Sequence, residues 1–310
     1  MKRLGRIFLA AFAACLLFCS AGSAADGKIR LGVMRFSSKA ESLTDAQAGI
    51  ITDMFIHALA GSKSIVVVDR DTIESIGDER QMSLSGLSDP SDAAEIGRLA
   101  GLQYVMLGFI SEFEKETKSQ TASFGIGQNI PPTKATIQAR VVDVNTSEVV
   151  MALSETGISS NHSTALSVEG YSMAQSGGME RESVHAIQDA VWRMAHLIRA
   201  EIAEEYSYVV SENGGKFTID VGLILGVNPG SLYLAYSEGH EILGIDGKPL
   251  GRAKIPLAVI RVNRSEAGYS VCSAILGNGD VVRRGDKIEP ITADDAKKIA
   301  PELPKKRPEF

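Results

Sequence analysis

Cysteine and tryptophan are scarce in this 310-residue sequence, and it has no excess of positive charge. It contains three cysteines and one tryptophan, and aromatic residues make up 6% of the chain. Cys15 and Cys19 lie close to the N-terminus, so only Cys272 belongs to the remainder of the chain. A single cysteine there excludes an internal disulfide bond. We therefore expect packing of an apolar core to stabilise the fold.

Basic residues are outnumbered by acidic ones. The chain has 32 Lys and Arg against 38 Asp and Glu, which gives a formal net charge of −6. Proteins that bind nucleic acids carry a basic patch or stripe, and this sequence has none. The charge balance therefore argues against nucleic acid as a partner.

The N-terminus has the order of a bacterial signal peptide. Three basic residues lie within the first six positions, an apolar run covers Ile7–Phe18, and small residues follow at 20–25. This pattern predicts a signal peptide over residues 1–25, cleaved after Ala24 or Ala25. A membrane-spanning helix needs about 20 apolar residues, and this run is shorter. Loss of the three basic residues would take the net charge from −6 to −9.

Lipid attachment is the alternative to a free N-terminus. A lipobox has an aliphatic residue three places before the cysteine and a small residue directly before it. Cys19 follows Phe18, and Phe12 stands three places before Cys15. Neither position fits, so the sequence favours an unlipidated exported protein and leaves a lipoprotein as the minority interpretation.

Strands alternate with helices over residues 26–207. The pattern predicts strands at Ile29–Phe36, Ile65–Asp69 and Gln103–Glu112, helices at Thr44–Gly61, Asp71–Gln81 and Asp89–Ala100, a hairpin of Lys134–Val144 with Glu148–Gly157, and a helix at Glu182–Tyr206. Alternation of this kind predicts a sheet with helices packed on it, an α/β or α+β fold. The long last helix has an apolar stripe that should close this domain.

Short strands separated by glycine turns follow at residues 208–291. Asn228, Pro229 and Gly230 fit a type II turn, because Gly accepts the positive φ at its second central position. The spacing predicts a small antiparallel, partly closed β-barrel-like domain. Residues 292–310 contain several Lys and Pro and little apolar content, and are predicted to be disordered.

The first domain resembles the CsgG family, whose name stands for a curli production assembly and transport component. The resemblance covers residues 29–206 and is carried by Ile29–Phe36, Val66–Arg70, Tyr104–Ile110 and the strand, turn, strand phrase at Ile137–Val150. The segment at residues 124–127, just before that phrase, also looks like the curli channel. The second domain more loosely resembles the C-terminal domain of the flagellar assembly protein FlgT, through Gly226, Val227, Gly230, Gly285 and Asp286.

The resemblance to the CsgG family implies an envelope protein that helps to assemble or secrete a surface structure. The family also resembles lipoprotein activators of peptidoglycan synthases, and neither relative is an enzyme. A curli-type channel carries aromatic residues between its first strand and first helix, whereas Ser37–Leu43 has none. Membrane hairpins would lie in the stretches Lys115–Thr133 and Ile158–Glu182. A barrel strand needs about 9 to 11 residues of alternating apolar character, and these stretches are too polar to supply it. These departures favour an accessory factor over a pore.

Motifs for catalysis are absent from the sequence. Gly170–Ala174 has no second glycine for a nucleophile elbow, and Gly214–Lys216 is followed by Phe217 where a phosphate loop needs a hydroxyl. His185, Asp189, Trp192 and His196 share one face of the last predicted helix. His185 and Asp189 could supply two metal ligands, but a third is missing and His196 lies about three turns away.

We therefore interpret those four residues as a polar face with one aromatic side chain against the sheet or a partner. The sequence predicts no catalytic, cofactor-binding or metal-binding residues and no cofactor. Cys272 is expected to be a buried small side chain. The expected function is that of a non-enzymatic accessory factor in the periplasm, acting through contacts with envelope proteins or with further copies of itself. Peripheral association with the outer membrane, a curli-type channel subunit and an activator of a peptidoglycan synthase are the alternatives.

Overall fold

The structure is a computed structural model and describes residues 27–40, 42–68, 71, 73, 75, 89–115, 133–158 and 181–308. The predicted signal peptide lies outside these residues. So do residues 116–132 and 159–180, which make up most of the two polar stretches considered above, and most of the helix predicted at Asp71–Gln81. The rest of the chain forms a mixed sheet with helices, followed by a closed ring of strands.

The N-terminal sheet has six strands. They are β1 (Ile29–Val33), β2 (Ser37–Ser38), β3 (Ile65–Val68), β4 (Tyr104–Lys115), β5 (Thr133–Asp143) and β6 (Val149–Ile158). Five of them lie in the order β3-β1-β4-β5-β6, and β2 pairs with β4. The β1 strand runs parallel to β3 and β4, whereas β5 and β6 add antiparallel strands at the other side.

Three helices whose bounds lie within the described residues belong to this sheet. They are α1 (Asp45–Ala60), α2 (Pro90–Leu99) and α3 (Arg181–Ala203). A capping box at Thr44 and Gln47 starts α1, and the Asp89 side chain accepts a hydrogen bond from the Ser91 amide at the start of α2. Such caps satisfy amide groups that have no partner inside the helix. The predicted packing of helices on a sheet is confirmed.

Helices cover both faces of the N-terminal sheet. Alternate residues of β4 point in opposite directions, because side chains alternate along a strand. Met106 packs in the core that α1 and α3 share, whereas Val105 and Leu107 pack in the core under α2. In the first core the rings of Phe36 and Phe55 stack with centroids 4.7 Å apart.

The C-terminal ring begins after α3. Its strands are β7 (Ser207–Asn213), β8 (Lys216–Ile219), β9 (Leu232–Leu243), β10 (Pro249–Ser265), β11 (Ser270–Gly277) and β12 (Lys287–Ile291). They pair antiparallel in the closed order β10-β11-β8-β7-β12-β9, so each strand has two neighbours. The sequence predicts a partly closed domain, whereas the observed ring is closed. The β7 strand was not predicted from the sequence. The predicted turn is present, with Gly230 at φ 95° and the Ser231 amide 3.1 Å from the Asn228 carbonyl oxygen.

The C-terminal tail differs from the sequence prediction. Residues 292–310 are predicted to be disordered, but Ala293–Ile299 form a helix, α4, with a capping box at Thr292 and Asp295. The Arg307 guanidinium bonds to the Asp286 carboxylate, and the Asn278 side chain donates to the Lys305 carbonyl oxygen. Low apolar content suggested disorder, yet capping and polar contacts with the ring hold this segment in place.

Candidate functional site at the domain junction

Helix α3 lies directly on the N-terminal sheet. Ile187, Met194 and Ile198 are fully buried and pack in the core shared with α1. Gly157 on β6 permits this close approach, since a Cβ atom there would lie 1.7 Å from the Ala186 carbonyl oxygen. The opposite side of α3 faces the C-terminal ring, and this region is here named the junction.

Arg193 joins α3 to strand β6. Its Nε atom donates to Glu155 Oε2 at 3.0 Å, Nη1 donates to the Asp189 carboxylate, and Nη2 donates to the Thr156 carbonyl oxygen at 2.6 Å. Burial alone would lower the pKa of Arg193, but the charges and hydrogen bonds of Asp189 and Glu155 raise it. The side chain is therefore a permanent cation that holds helix and sheet together.

Trp192 joins α3 to the C-terminal ring. Its indole ring lies over Gly226, where a Cβ atom would come within 1.9 Å of Cε2. Gly226 has φ 75° and ends the 3-10 turn Leu223–Leu225. The indole Nε1 is buried and has no hydrogen-bond partner among the described residues. The aromatic side chain of Trp192 therefore packs against the C-terminal ring of strands in the same chain.

A second contact at the junction comes from α1. A Cβ atom at Gly61, which caps that helix, would lie 2.8 Å from the Leu225 Cδ2 atom. The same 3-10 turn therefore touches both helices of this face.

His196 is buried at the junction, with 6% of its surface exposed. Burial lowers its pKa to about 3, and the nearby positive charges of Arg199 and Lys254 act in the same direction. The imidazole is neutral near neutral pH because its pKa lies far below that range. A group with such a low pKa is a weak base and carries no imidazolium proton to donate at neutral pH.

Arg199 places a second cation inside the junction. Burial lowers its pKa, while the nearby Glu205 and Asp220 carboxylates and the Tyr233 side chain oppose that change. Burial likewise raises the pKa of Asp220, although its carboxylate accepts a 2.7 Å hydrogen bond from the Tyr208 amide. Charged groups from α3 and from the ring thus share one partly buried environment.

Glu205 fixes the segment between α3 and the ring. Its Oε2 atom accepts from the Ser62 hydroxyl at 2.5 Å and from the Ser64 amide at 3.4 Å. Glu204, directly before it, adopts φ 50°, in the left-handed region that non-glycine residues rarely occupy. This segment is held against the start of β3 and is not a free linker.

A cleft of about 380 Å³ opens beside these contacts. Glu155, Arg193 and Leu197 line it from the N-terminal side, and Lys254, Glu289 and Ile299 line it from the ring and α4. Lys254 and Glu289 form a 2.5 Å ion pair. The described residues of the lining offer apolar contacts and paired charges but no thiol, hydroxyl or imidazole group.

The four residues singled out in the sequence do not form one site. Asp189 is an ion-pair partner of Arg193, Trp192 packs on Gly226, and His196 is buried farther along α3. His185 is half-buried near the N-terminal end of α3. Within the described residues, no three His, Cys, Asp or Glu side chains are arranged to hold a metal ion. Sequence reasoning missed Arg193 and Arg199, which are buried although they lie on an amphipathic helix. The signal for the first was its spacing of four residues from Asp189, which allows an ion pair along one helix face.

The family of this chain follows from a comparison of its sequence. The family model for the curli production assembly/transport component CsgG matches residues 15–214. This chain belongs to the CsgG family. The match includes the N-terminal sheet, α3 and β7, so the family resemblance seen in the sequence is confirmed. It ends before most of the C-terminal ring, and the likeness of that ring to FlgT is not shown.

Solved structures similar to this CsgG-family chain include a domain of LpoB and a dodecamer of PelC. The C-terminal domain of LpoB from Salmonella enterica is 19% identical, with a TM-score of 0.31, and the alignment covers 46% of this chain and 90% of that one. A PelC dodecamer from Paraburkholderia phytofirmans is 14% identical, with a TM-score of 0.29 and coverage of 56% and 92%. No curated protein matches the sequence. Among the described residues, no helix has the length and apolar character needed to cross a membrane.

Proposed function

We propose that this protein is a non-enzymatic accessory factor for the assembly or secretion of an envelope or surface structure, and that it acts through protein contacts in the periplasm. Membership of the CsgG family is the observation that carries this proposal. The order of charged, apolar and small residues at the N-terminus supports export. A lone cysteine outside that segment suits a fold that does not depend on disulfide bonds.

The chemistry of the junction supports a role without catalysis. Arg193 is occupied by two carboxylates and a carbonyl oxygen, so it stabilises the fold and is not available to a substrate. His196 stays neutral because its pKa is about 3. The Cys272 thiol is fully buried, and burial raises its pKa to about 12, so it is a poor nucleophile.

Partner capture tests the proposal directly. The processed protein, tagged at its C-terminus and cross-linked in cells, would be purified from the envelope fraction, and its mass would be measured by size-exclusion chromatography with light scattering. We expect either specific envelope proteins or a defined homo-oligomer. A monomer without any specific partner would contradict the proposal. A peptidoglycan synthase among the captured proteins would support the activator alternative.

A secretion-channel subunit is the second candidate, because the matched family is described as an assembly and transport component. The segment between β1 and α1 weighs against it. Ser37 and Ser38 pair with β4, and the Lys39 ammonium group lies 3.7 Å from the centre of the Phe109 ring. Its aromatic residue, Phe36, is buried in the core, so this short segment, which is bound to the sheet, presents no aromatic side chain that could narrow a pore. Conductance of the detergent-extracted protein in planar bilayers would revive the channel hypothesis.

A further inference from the structure

Strands β9 and β10 extend beyond the C-terminal ring as a two-stranded arm. Pairing of β9 with β12 ends at Tyr236, and pairing of β10 with β11 starts at Ala258. Between these points, within the described residues, the two strands pair only with each other. The part from Gly239 to Leu243 is about 17 Å long at about 3.4 Å per residue. An isolated two-stranded hairpin gains little stability in water, so an arm of this kind calls for a contact elsewhere.

The tip of the arm carries four exposed aliphatic side chains. Ile242 is 43% exposed, Leu243 56%, Leu250 72% and Ile245 111%, the highest value among the exposed large apolar residues. Exposed apolar groups at one place mark contacts with a protein or a membrane, since single ones are normally scattered. The tip is therefore the strongest candidate for a further contact surface.

The formal charges of the arm sum to zero, because its three carboxylates are matched by three cations: Glu238, Glu241 and Asp246 against Lys248, Arg252 and Lys254. Lys248 lies 3.5 Å from Asp246, and Arg252 lies 3.9 Å from Glu238. Lys254 at its base pairs with Glu289 on β12. A neutral arm offers little electrostatic attraction to a charged partner, so its contact must depend on the aliphatic side chains.

The area of the tip favours lipid over a folded protein. Four partly exposed side chains present only a few hundred Å², whereas a stable protein interface covers about 800 Å² on each partner. A convex tip would also need a matching pocket on a protein. The hydrocarbon layer of a membrane needs no such match, and binding grows with the apolar area inserted.

We propose that the tip formed by Ile242, Leu243, Ile245 and Leu250 inserts into the apolar layer of a lipid surface and holds the C-terminal ring at the membrane. This inference rests on the envelope location proposed above. The tip would contact lipid directly, so this membrane contact is separate from the protein contacts of the proposed function.

Flotation with lipid vesicles tests the proposal. The processed full chain would be mixed with vesicles of uncharged phosphatidylcholine and floated through a sucrose gradient. The experiment would be done in 0.1 M and in 0.5 M NaCl, because the higher salt concentration screens electrostatic attraction more strongly. We expect flotation that salt does not weaken, and at least a fivefold loss of bound protein in Ile245→Ser/Leu250→Ser. The matched control Val149→Ser/Val150→Ser removes two exposed aliphatic side chains from β6 and should float like the original chain.

A fluorophore at the tip gives an independent readout. In Ile245→Cys the new thiol is exposed, whereas Cys272 is fully buried and its raised pKa makes it unreactive. An environment-sensitive dye attached there should shift to shorter wavelength when vesicles are added.

Three results would overturn the proposal: no flotation of the original chain, flotation that 0.5 M NaCl abolishes, or unchanged flotation of Ile245→Ser/Leu250→Ser, including the case in which this variant converts a dimer into monomers. That last case would assign the tip to a second copy. Because purified protein and lipid are the only components, failure here leaves the proposed protein contacts intact.

Discussion

Arg307 binds Asp286 through both carboxylate oxygens. Its Nη1 lies 2.8 Å from Oδ2 and its Nη2 lies 2.7 Å from Oδ1, and Nη1 also donates to the Val281 carbonyl oxygen at 2.6 Å. Asp286 is 5% exposed, so these bonds replace much of the water that its charge would otherwise bind. The contact joins the C-terminal tail to the start of β12.

We predict that Arg307→Ala lowers the free energy of unfolding by about 1–3 kcal/mol, because a nearly buried carboxylate loses its cation. Urea unfolding followed by circular dichroism would measure this. Lys306→Ala removes an exposed charge from the neighbouring position and serves as the control. Equal stability of the two variants would show that the Arg307 contact adds nothing.

Gly226 sets the contact between Trp192 and the ring. We predict that Gly226→Ala separates these groups, because the new Cβ would lie 1.9 Å from the indole ring. Trp192 is the single tryptophan of the chain, so its fluorescence reports on the junction without interference. Emission should move to longer wavelength as water reaches the indole.

Gly215→Ala is the matched control for this substitution. Its φ is 76°, against 75° at Gly226, and no atom of the described residues lies within 4 Å of the position that its new methyl carbon would occupy. Both variants therefore carry the backbone cost of a side chain at positive φ, about 1–2 kcal/mol, and Gly226→Ala alone carries the clash. An unchanged emission maximum in Gly226→Ala would contradict the packing of Trp192 on the ring.

Gly157 controls the distance between β6 and α3. We predict that Gly157→Ala destabilises the fold by about 3 kcal/mol or more, since its Cβ would lie 1.7 Å from a backbone oxygen that cannot rotate away. Thermal unfolding would measure the loss. Gly268→Ala is the control, because nothing in the described part of the chain lies within 4 Å of the added carbon. A Gly157→Ala variant as stable as that control would refute the close approach.

His196 should make the fold less stable in acid. Its pKa is about 3 in the folded chain against 6.5 for the unperturbed group, so only the unfolded chain gains a proton between these values. The stabilising effect of neutral His196 is complete above pH 6.5 and is lost as the pH falls towards 3. The expected slope from this group is about 1.4 kcal/mol per pH unit.

Unfolding in urea at several pH values between 4 and 7 would reveal this slope. His196→Leu keeps an apolar side chain in the buried position and should flatten the profile in this range. His240→Leu, which replaces an exposed histidine on β9, is the matched control for the substitution itself. Identical profiles for the original chain and His196→Leu would mean that the imidazole binds a proton equally well in the folded and the unfolded chain, which would contradict the lowered pKa.

Local signals in the sequence predicted the elements of the N-terminal sheet well. Thr44 and Gln47 form the cap that starts α1, and Asp89 caps α2, because caps depend on residues within one helical turn. The hairpin of β5 and β6 was equally visible, since its turn at residues 145–147 separates two apolar runs. The fully buried position of Cys272 was also predicted correctly.

Elements stabilised by distant residues were harder to predict. The β7 strand has a mixed sequence, and its pairing with β8 and β12 closes the ring. The tail was predicted to be disordered from its composition, but Arg307 reaches Asp286, twenty-one positions away in sequence. The extension of β9 and β10 beyond the ring was not predicted, because nothing local to these strands marks where the ring ends.

The sequence by itself determined the family, the order of helices and strands in the first sheet, and the apolar stripe of α3. The tertiary structure alone decided what the polar side chains of that helix do. Trp192 meets Gly226, and Arg193 meets Glu155, across long stretches of chain. Spacing along one helix shows which side chains share a face. It cannot show what that face contacts, because the partner comes from a segment that only folding brings near.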